Sequence, residues 1–250
     1  MEIESPVLKK LLEEEAIIVT ADGVKRLHIL SDIQLITMGA EAYIYKAKFM
    51  DIDAIIKWRF PKNYMPKDLD EIIRRNRTEL EAKMLWKAHS LGIKAPIPLY
   101  IDLDEGILIM TFIHGHNFRD IANTIDIDKL CNIVKTVGIY AAKLHLNGVV
   151  HGDLTTSNII VDNDSVYLID FGLATISKRL EDIAIDVHIF FRSIESAHPT
   201  IEEIAKRCFI EGYKQVVGED RLRMVLKAVE NIRLRGRYIA ARKLRTEWGF

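Results

Sequence analysis

The sequence predicts an α+β fold built as two unlike halves with a short connector between them. Three observations carry this. The first ~110 residues alternate as strands do, with one long charged helix among them. The residues beyond the connector repeat their apolar positions at helical spacing. Within that helical half, residues 149–173 form short strands and loops dense in Asp, Asn, Thr and Ser.

The elements follow in order. Ser5 can cap a helix, Pro6 suits its first position, and Val7, Leu8, Leu11 and Leu12 share one face, so a helix is expected over residues 5–15. Two β-like runs, 16–20 and 24–30, flank Asp22-Gly23, which marks a hairpin. Further strands are expected at 33–38, 42–49 and 54–58. A charged helix spans 67–90, with Leu69, Ile72, Ile73, Leu80, Met84 and Leu85 as its apolar face and Gly92 just past its end. Strands at 99–102 and 107–112 flank Asp104-Glu105-Gly106. His114-Gly115-His116 reads as a connector. Helices are then expected at 127–147, 183–196, 201–217 and 221–235. The division this implies is an extension (1–31), a strand-rich lobe (32–110), a hinge (111–116), a helical lobe (117–237) and a basic tail (238–250).

The chain has 250 residues, 49% of them hydrophobic, which is enough for a sizeable core and argues against long disorder. The formal net charge of -1 does not suggest nucleic-acid binding by the whole surface. Charge is concentrated locally, however: residues 221–245 hold nine basic side chains against one acidic, Glu230. Cys131 and Cys208 lie in apolar helical stretches without a CxxC or His/Cys cluster, and read as buried reduced thiols of a reducing compartment. The N-terminus lacks a signal-peptide layout, and no apolar run reaches the ~18 residues of a membrane span. A soluble cytoplasmic protein without a membrane partner is expected.

The chemistry is concentrated in His151-Gly152-Asp153-Leu154-Thr155-Thr156-Ser157-Asn158 and, one strand pair later, Ile169-Asp170-Phe171-Gly172. Phosphoryl transfer from ATP needs charge neutralised and an acceptor oxygen aligned. Asp153 is the candidate catalytic carboxylate facing that oxygen. Magnesium takes hard oxygen ligands, and Asn158 and Asp170 supply an amide oxygen and a carboxylate. Asp and Asn commonly mark turns, and a lone Asp-Phe-Gly says little. The two motifs at this spacing are far more specific.

Lys57 ends Ala54-Ile55-Ile56-Lys57, the form of a strand whose lysine holds the α/β-phosphates and pairs with a helix glutamate. Glu79 and Glu81 are both candidates for that partner, and Glu81, at the edge of the inward face, is the better placed. Taken alone, Lys57 could equally be a snorkelling strand-end lysine. A phosphate-covering turn is expected at Met38-Gly39-Ala40-Glu41-Ala42, with one glycine in place of a full GxGxxG. Met110, Thr111 and Ile113 at the connector are candidates to meet the adenine. Asp186 opens an apolar helix and reads as a structural charge that braces the catalytic loop. Only about a dozen residues separate Gly172 from Asp186, and no Ala-Pro-Glu follows. Together these features predict a bilobal protein-kinase-like fold in a minimal version without a full activation segment.

The set resembles one family, the small atypical serine/threonine kinase subunits of the KEOPS (EKC) complex, related to the RIO kinases. The resemblance runs from about Ile33 to Arg237. It rests on Gly39-Ala40-Glu41-Ala42, Lys57-Trp58-Arg59-Phe60-Pro61-Lys62, Arg77-Thr78 with Glu81-Ala82, the residue 151–158 and 169–173 motifs, Glu181-Asp182, Asp186, Ser196-Ala197-His198-Pro199 and Arg233-Leu234-Arg235-Gly236-Arg237. The chain departs from the family at Lys62-Asn63-Tyr64-Met65-Pro66, where an Arg-His pair is usual, and residues 1–31 have no counterpart. The resemblance implies an ATP- and magnesium-dependent kinase and ATPase that supports threonylcarbamoylation of the tRNA adenosine beside the anticodon. It implies two protein partners, the threonylcarbamoyl transferase subunit and a small regulatory subunit, and a nuclear location as well if the source is a eukaryote. It also turns Arg233, Arg235, Arg237 and Lys243, which otherwise read as a solvated helix face, into candidate tRNA phosphate contacts. Two other readings compete. Small-molecule phosphotransferases of the aminoglycoside or choline kinase type share the HGDxxxxN loop but carry a larger helical insert. A non-catalytic tRNA-binding scaffold would be expected to have lost one of Lys57, Asp153, Asn158 or Asp170.

Overall fold

The computed structural model describes residues 5–21 and 23–247, and side chains as far as Arg235 with Thr20 left aside. The chain divides into two compact units. One comprises residues 1–87 and 96–113, the other residues 88–95 and 114–250. Each is described by itself.

The first unit opens with helix α1 (Pro6–Glu13), where the Ser5 hydroxyl accepts the Leu8 N–H at 3.4 Å and Pro6 takes the first turn. Strands β1 (Glu15–Thr20) and β2 (Gly23–His28) form an antiparallel ribbon. The main sheet is antiparallel and built from β3 (Leu30–Met38), β4 (Tyr43–Phe49), β5 (Ile52–Trp58), β6 (Pro98–Asp102) and β7 (Ile107–Thr111), in the order β3-β4-β5-β7-β6. Leu30 belongs to β3, not to the second hairpin strand as the sequence pattern suggested. The chain bends at Ile29, so Leu30 already pairs with Phe49 of β4, and Asp32, at φ 53, bulges β3 between Ser31 and Gln34. Leu8 and Leu11 of α1 pack into one core with Leu30, Tyr45, Ile56, Trp58, Ile107 and Ile109. The extension is therefore part of this unit's core. Helix α2 (Lys67–Ser90) buries Met84, Leu85 and Glu81, while Leu69 and Ile72, expected on the apolar face, are exposed.

The second unit is helical. Short helix α3 (Phe118–Ile121) follows β8 (His116–Asn117). Helix α4 (Ile127–Leu146) starts where the Asp126 carboxylate accepts the Lys129 N–H at 2.8 Å. Strands β9 (Val149–Val150), β10 (Ile159–Asp162), β11 (Ser165–Leu168) and β12 (Thr175–Ile176) carry the polar loops. They form two small antiparallel sheets, β11-β10-β8 and β12-β9. Helices α5 (Leu180–Ala197), α6 (Glu202–Val217) and α7 (Glu219–Glu247) complete the unit. Helix α7 runs past its expected end at Arg235, because Ile239-Ala240-Ala241 and the basic residues around them are compatible with helix and no proline stops it. The expected tail at 238–250 is thus mostly a continuation of α7. No described helix is long and apolar enough to cross a membrane.

The reading of both cysteines as reduced thiols is corrected: Cys131 of α4 and Cys208 of α6 are joined in a disulfide with Cα atoms 5.3 Å apart. The two residues are separated by 77 positions in the chain, so their proximity is purely tertiary. Two glycines allow it. A Cβ on Gly138 of α4 would stand 2.2 Å from the Phe209 carbonyl oxygen, and one on Gly212 of α6 would stand 2.0 Å from that of Lys135. The helices can touch backbone to backbone only because these side chains are missing.

Candidate active site

In the first unit, β5 carries Lys57 one residue before its end, and α2 presents Glu81 to it. The Lys57 ammonium donates to Glu81 Oε1 at 3.0 Å. Glu81 is 1% exposed, so this carboxylate faces the interior. Glu79 points elsewhere and accepts from Lys83 one turn along α2, at 2.6 Å. The second oxygen of Glu81 is taken by the guanidinium of Arg59, a contact the sequence reading did not identify. Arg59 is buried and also donates to the Thr78 hydroxyl at 3.2 Å. An arginine two residues after the strand lysine faces the same side of the pleat, which is the signal that could have revealed it.

Residues 38–42 form a tight turn between β3 and β4. The Gly39 N–H donates to the Ala42 carbonyl at 2.9 Å. Met38, Gly39, Ala40 and Glu41 are exposed, and Ala42 is buried. Arg77 of α2 donates to the Glu41 carboxylate, and that bond together with the positive charge holds the carboxyl below its usual value despite partial burial. Met110 lies buried in β7. The Thr111 N–H donates to the Ile97 carbonyl and its hydroxyl accepts the Ile97 N–H, both at 2.9 Å. Ile113 ends the unit, half-buried.

In the second unit, the loop from His151 to Asn158 is held from several sides. Asn158 Nδ2 donates to both the Asp153 carbonyl and Asp153 Oδ2, each at 2.8 Å. This brings the two residues of the HGDxxxxN motif together. Helix α5 braces the loop from below: Asp186 Oδ2 and Oδ1 accept the N–H groups of His151 and Gly152 at 2.8 and 2.9 Å. Two turns further along α5, the Ser193 hydroxyl accepts the Thr156 N–H at 3.2 Å. Asn117 adds a bond to the Ser157 carbonyl at 2.6 Å.

His151 joins this loop to the next motif. Its Nε2 donates to the Ile169 carbonyl at 3.2 Å, so Nδ1 is the acceptor that faces the Asp153 N–H at 3.4 Å. Its ring lies 4.6 Å from that of buried Phe171. The Ile169 N–H donates to the Asn158 carbonyl at 3.0 Å, which sets Asp170 beside Asn158. Asp170 has φ 59, a left-handed conformation sparsely used by non-glycine residues, and its Oδ1 accepts the Gly172 N–H at 3.1 Å. The short run after Gly172 pairs as β12 with β9, Thr175 opposite Val150. Gly152 permits this. Its φ is 81, and a Cβ there would lie 2.2 Å from the Leu173 carbonyl oxygen.

Asp186 is buried, 0% exposed. Burial pushes its carboxyl up, but the hydrogen bonds from the His145 ring and the His151 N–H hold the pKa below the usual aspartate value. The carboxylate therefore stays ionised under the loop.

Of the basic residues of α7, Arg233 pairs with Glu195 at 3.1 Å and Arg235 with Glu181 at 2.9 Å, both acids belonging to α5. The side chains of Arg237 and Lys243 lie outside the described residues.

The RIO domain model matches residues 43–192, which contain every one of these loops except the 38–42 turn. The KEOPS complex subunit Bud32 of Pyrococcus abyssi is 35% identical over 212 residues, 82% of this chain and 96% of that protein. A probable serine/threonine-protein kinase BUD32 homolog of Archaeoglobus fulgidus is 34% identical over 202 residues, 81% of this chain and 95% of that protein. The chain belongs to the RIO-domain family, in its Bud32 branch. A probable bifunctional tRNA threonylcarbamoyladenosine biosynthesis protein of Methanocaldococcus jannaschii is 41% identical over 206 residues, but the match spans only 37% of its length. As a Bud32-type chain, this protein is an atypical serine/threonine kinase and ATPase with a kinase-like fold.

The family implies ATP, typically with magnesium, and the residues present fit both. Among the described residues no three His, Cys, Asp or Glu side chains form a metal cluster. One amide and one carboxylate suit an ion that draws its other ligands from phosphate and water. Because Asn158 spends its nitrogen on Asp153, the atom it offers a cation is Oδ1.

Proposed function

We propose that this chain hydrolyses ATP and transfers its γ-phosphoryl group with Asp153 as the carboxylate facing the acceptor oxygen. Asn158 and Asp170 would hold magnesium. Lys57, steadied by Glu81, would meet the α/β-phosphates, with the 38–42 turn, Met110, Thr111 and Ile113 contributing to nucleotide binding. Since the Thr111 N–H is engaged by Ile97, its carbonyl is the group it can offer a base. Magnesium supplies charge neutralisation on the phosphates. Asp153 accepts the proton of the attacking hydroxyl or water, and the Asn158 amide orients its carboxylate for that step.

The observation that carries this reading is the bonding of Asp153 to Asn158 within one loop, with Asp170 set beside it through the Ile169 N–H. Side chains from outside the loop, those of Asp186, Ser193 and Asn117, hold that arrangement, as preorganised electrostatic catalysis requires.

The physiological setting we propose is the KEOPS complex. The chain spans nearly the whole of the Pyrococcus abyssi subunit of that name. The partners would be the threonylcarbamoyl transferase subunit, a small regulatory subunit and tRNA, with ATP turnover supporting formation of threonylcarbamoyladenosine beside the anticodon. Arg235, exposed on α7, is the described residue best placed to meet a tRNA phosphate, since a surface ion pair is weak and readily exchanged. The test is phosphate release by the chain with its transferase partner and unmodified tRNA. Partner-dependent release that is abolished by Asp153→Ala supports the reading. Turnover that ignores the partner and appears only with a small-molecule hydroxyl overturns it.

A further inference from the structure

The brace under the catalytic loop has a second storey that the activity does not require in principle. Asp186 is held by His145 of α4, whose Nε2 lies 3.0 Å from Asp186 Oδ2. The other ring nitrogen, Nδ1, lies 2.8 Å from the hydroxyl of Tyr213 on α6. All three side chains are buried, His145 at 2% and Tyr213 at 1% exposed. The ionised Asp186 can only accept, so Nε2 carries the hydrogen, and in the neutral ring Nδ1 is an acceptor. Tyr213 is then the donor that satisfies it, and burial pushes the phenol's pKa up, so the hydrogen stays in place. The chain of bonds runs from α6 through α4 and α5 to the backbone of His151 and Gly152, directly before Asp153.

The packing around this chain is built to keep its end fixed. Helix α6 is tied to α4 by the Cys131–Cys208 disulfide and by the backbone contact at Gly138 and Gly212. The phenol ring stacks on Phe209 at 5.9 Å, and Phe209 on Phe190 of α5 at 4.7 Å. A phenylalanine at position 213 would fill the same space and keep the same stack. The hydroxyl contributes one thing beyond filling space, a bond that selects the His145 tautomer presented to Asp186.

We propose that Tyr213 is a positioning residue for phosphoryl transfer, acting through His145 and Asp186 on the backbone that carries Asp153. The inference rests on the reading of Asp153 given above. Without the tyrosine hydroxyl, His145 Nδ1 is left as a buried acceptor lacking a donor. The ring is then free to turn or to move its proton to Nδ1, and Asp186 loses the partner that fixes it. Leaving such a group unsatisfied costs about 1–3 kcal/mol. If that cost falls on the alignment of the loop, turnover drops roughly 5- to 160-fold. ATP binding, which the loop's backbone position affects little, stays the same.

The test uses the full chain in Tyr213→Phe, His145→Gln, the double variant and Asp153→Ala. Kinetics at saturating and limiting ATP separate kcat from KM, and imidazole ¹⁵N spectra of labelled protein report the His145 ring. The expected result for Tyr213→Phe is a fall in kcat with KM for ATP within about twofold of wild type and shifted His145 ring nitrogens. In the His145→Gln background the same substitution changes kcat no further, because its only route to the loop is gone. The proposal is overturned if Tyr213→Phe lowers the melting temperature while kcat and the ring nitrogens stay put, or if its effect on kcat persists in His145→Gln. Should Tyr213→Phe not fold, the wild-type spectrum decides. A hydrogen on Nε2 with an accepting Nδ1 supports the chain of bonds, and the reverse tautomer breaks it. Asp153→Ala separates the two ideas: activity that survives it removes the assigned role of Asp153, whatever Tyr213 does.

Discussion

Lys57 and Arg59, two residues apart at the end of one strand, share the carboxylate of Glu81, one taking each oxygen. The sharing divides two jobs. Arg59 is 4% exposed and Lys57 13%, so the arginine is the cation more deeply committed to the interior. Removing one partner of a buried pair leaves the other as an uncompensated charge, at a cost of about 3–5 kcal/mol. Glu81→Gln is therefore expected to lower stability by about 3 kcal/mol, chiefly through Arg59. Lys57→Met should cost under about 1 kcal/mol in stability, yet abolish most ATP turnover. Urea denaturation beside a phosphate-release assay on both variants checks this. Equal stability losses would show that the arginine does not carry the structural share.

Gly152 should be irreplaceable for a geometric reason. Its positive φ and the 2.2 Å approach of the Leu173 carbonyl to any Cβ mean that Gly152→Ala must push the β12 run away from the catalytic loop. The expected outcome is a drop in turnover of more than about tenfold, and a lower melting temperature. Normal kinetics in a folded Gly152→Ala would mean that the contact with Leu173 has no bearing on Asp153.

What could be read from the chain before its structure divides along physical lines. The 151–158 motif was legible because its donors and acceptors lie within one loop, so spacing alone brings Asp153 and Asn158 together. The preference for Glu81 over Glu79 came from helical periodicity and matches the observed pairing with Lys57. Arg59 was hidden because its role depends on a carboxylate 22 positions away. The disulfide was hidden for the same reason, at a separation of 77. The start of β3 at Leu30 escaped notice because the bend at Ile29 falls within the β-like run 24–30 and leaves no mark in the pattern. Tyr213 looked like an ordinary core aromatic, and only its 2.8 Å contact with a histidine distinguishes it.

Two histidines set the acid limb of stability. Burial, reinforced by Arg192 and Arg233, pushes His188 below its usual value, and among the described residues its Nδ1 is buried without a partner. Burial and Arg119 do the same to His198, whose Nδ1 meets Asn123 at 3.2 Å. Glu195 acts in the opposite direction on His188 but is outweighed. Both rings are neutral when folded, whereas the unfolded chain takes up protons as pH falls through about 6.5. Their contribution to stability is therefore complete above that pH and is lost as the solution is acidified toward the folded pKa values. Denaturation midpoints measured between pH 8 and pH 5 should fall on the acid side, and His198→Phe should flatten part of the slope. A wild-type profile that is level across this range would contradict the assignment.

The disulfide should stabilise the second unit without serving its chemistry. It closes a long loop, and such a bond typically contributes about 2–4 kcal/mol by restricting the unfolded chain. Cys131→Ala with Cys208→Ala is expected to lower the melting temperature by several degrees while kcat stays within about twofold, because the glycine contact and the Tyr213–His145 bond still hold α6 against α4. A large loss of kcat at temperatures where the variant is fully folded would show that the covalent tie itself positions the loop.

The basic face of α7 can be tested through the ion pair that engages Arg235. Arg235 donates to Glu181 on an exposed face, so the pair contributes at most about 1 kcal/mol and competes directly with any phosphate. If Arg235 neutralises a tRNA phosphate, Arg235→Gln should weaken tRNA binding and reduce the slope of log affinity against log salt by about 1. Glu181→Gln should do the reverse and tighten binding, since it releases the guanidinium without removing it. The two variants thus move affinity in opposite directions, a result that a loss of folding could not imitate. If both weaken binding, or neither changes it, Arg235 belongs to the protein's own surface and the phosphate contacts lie elsewhere.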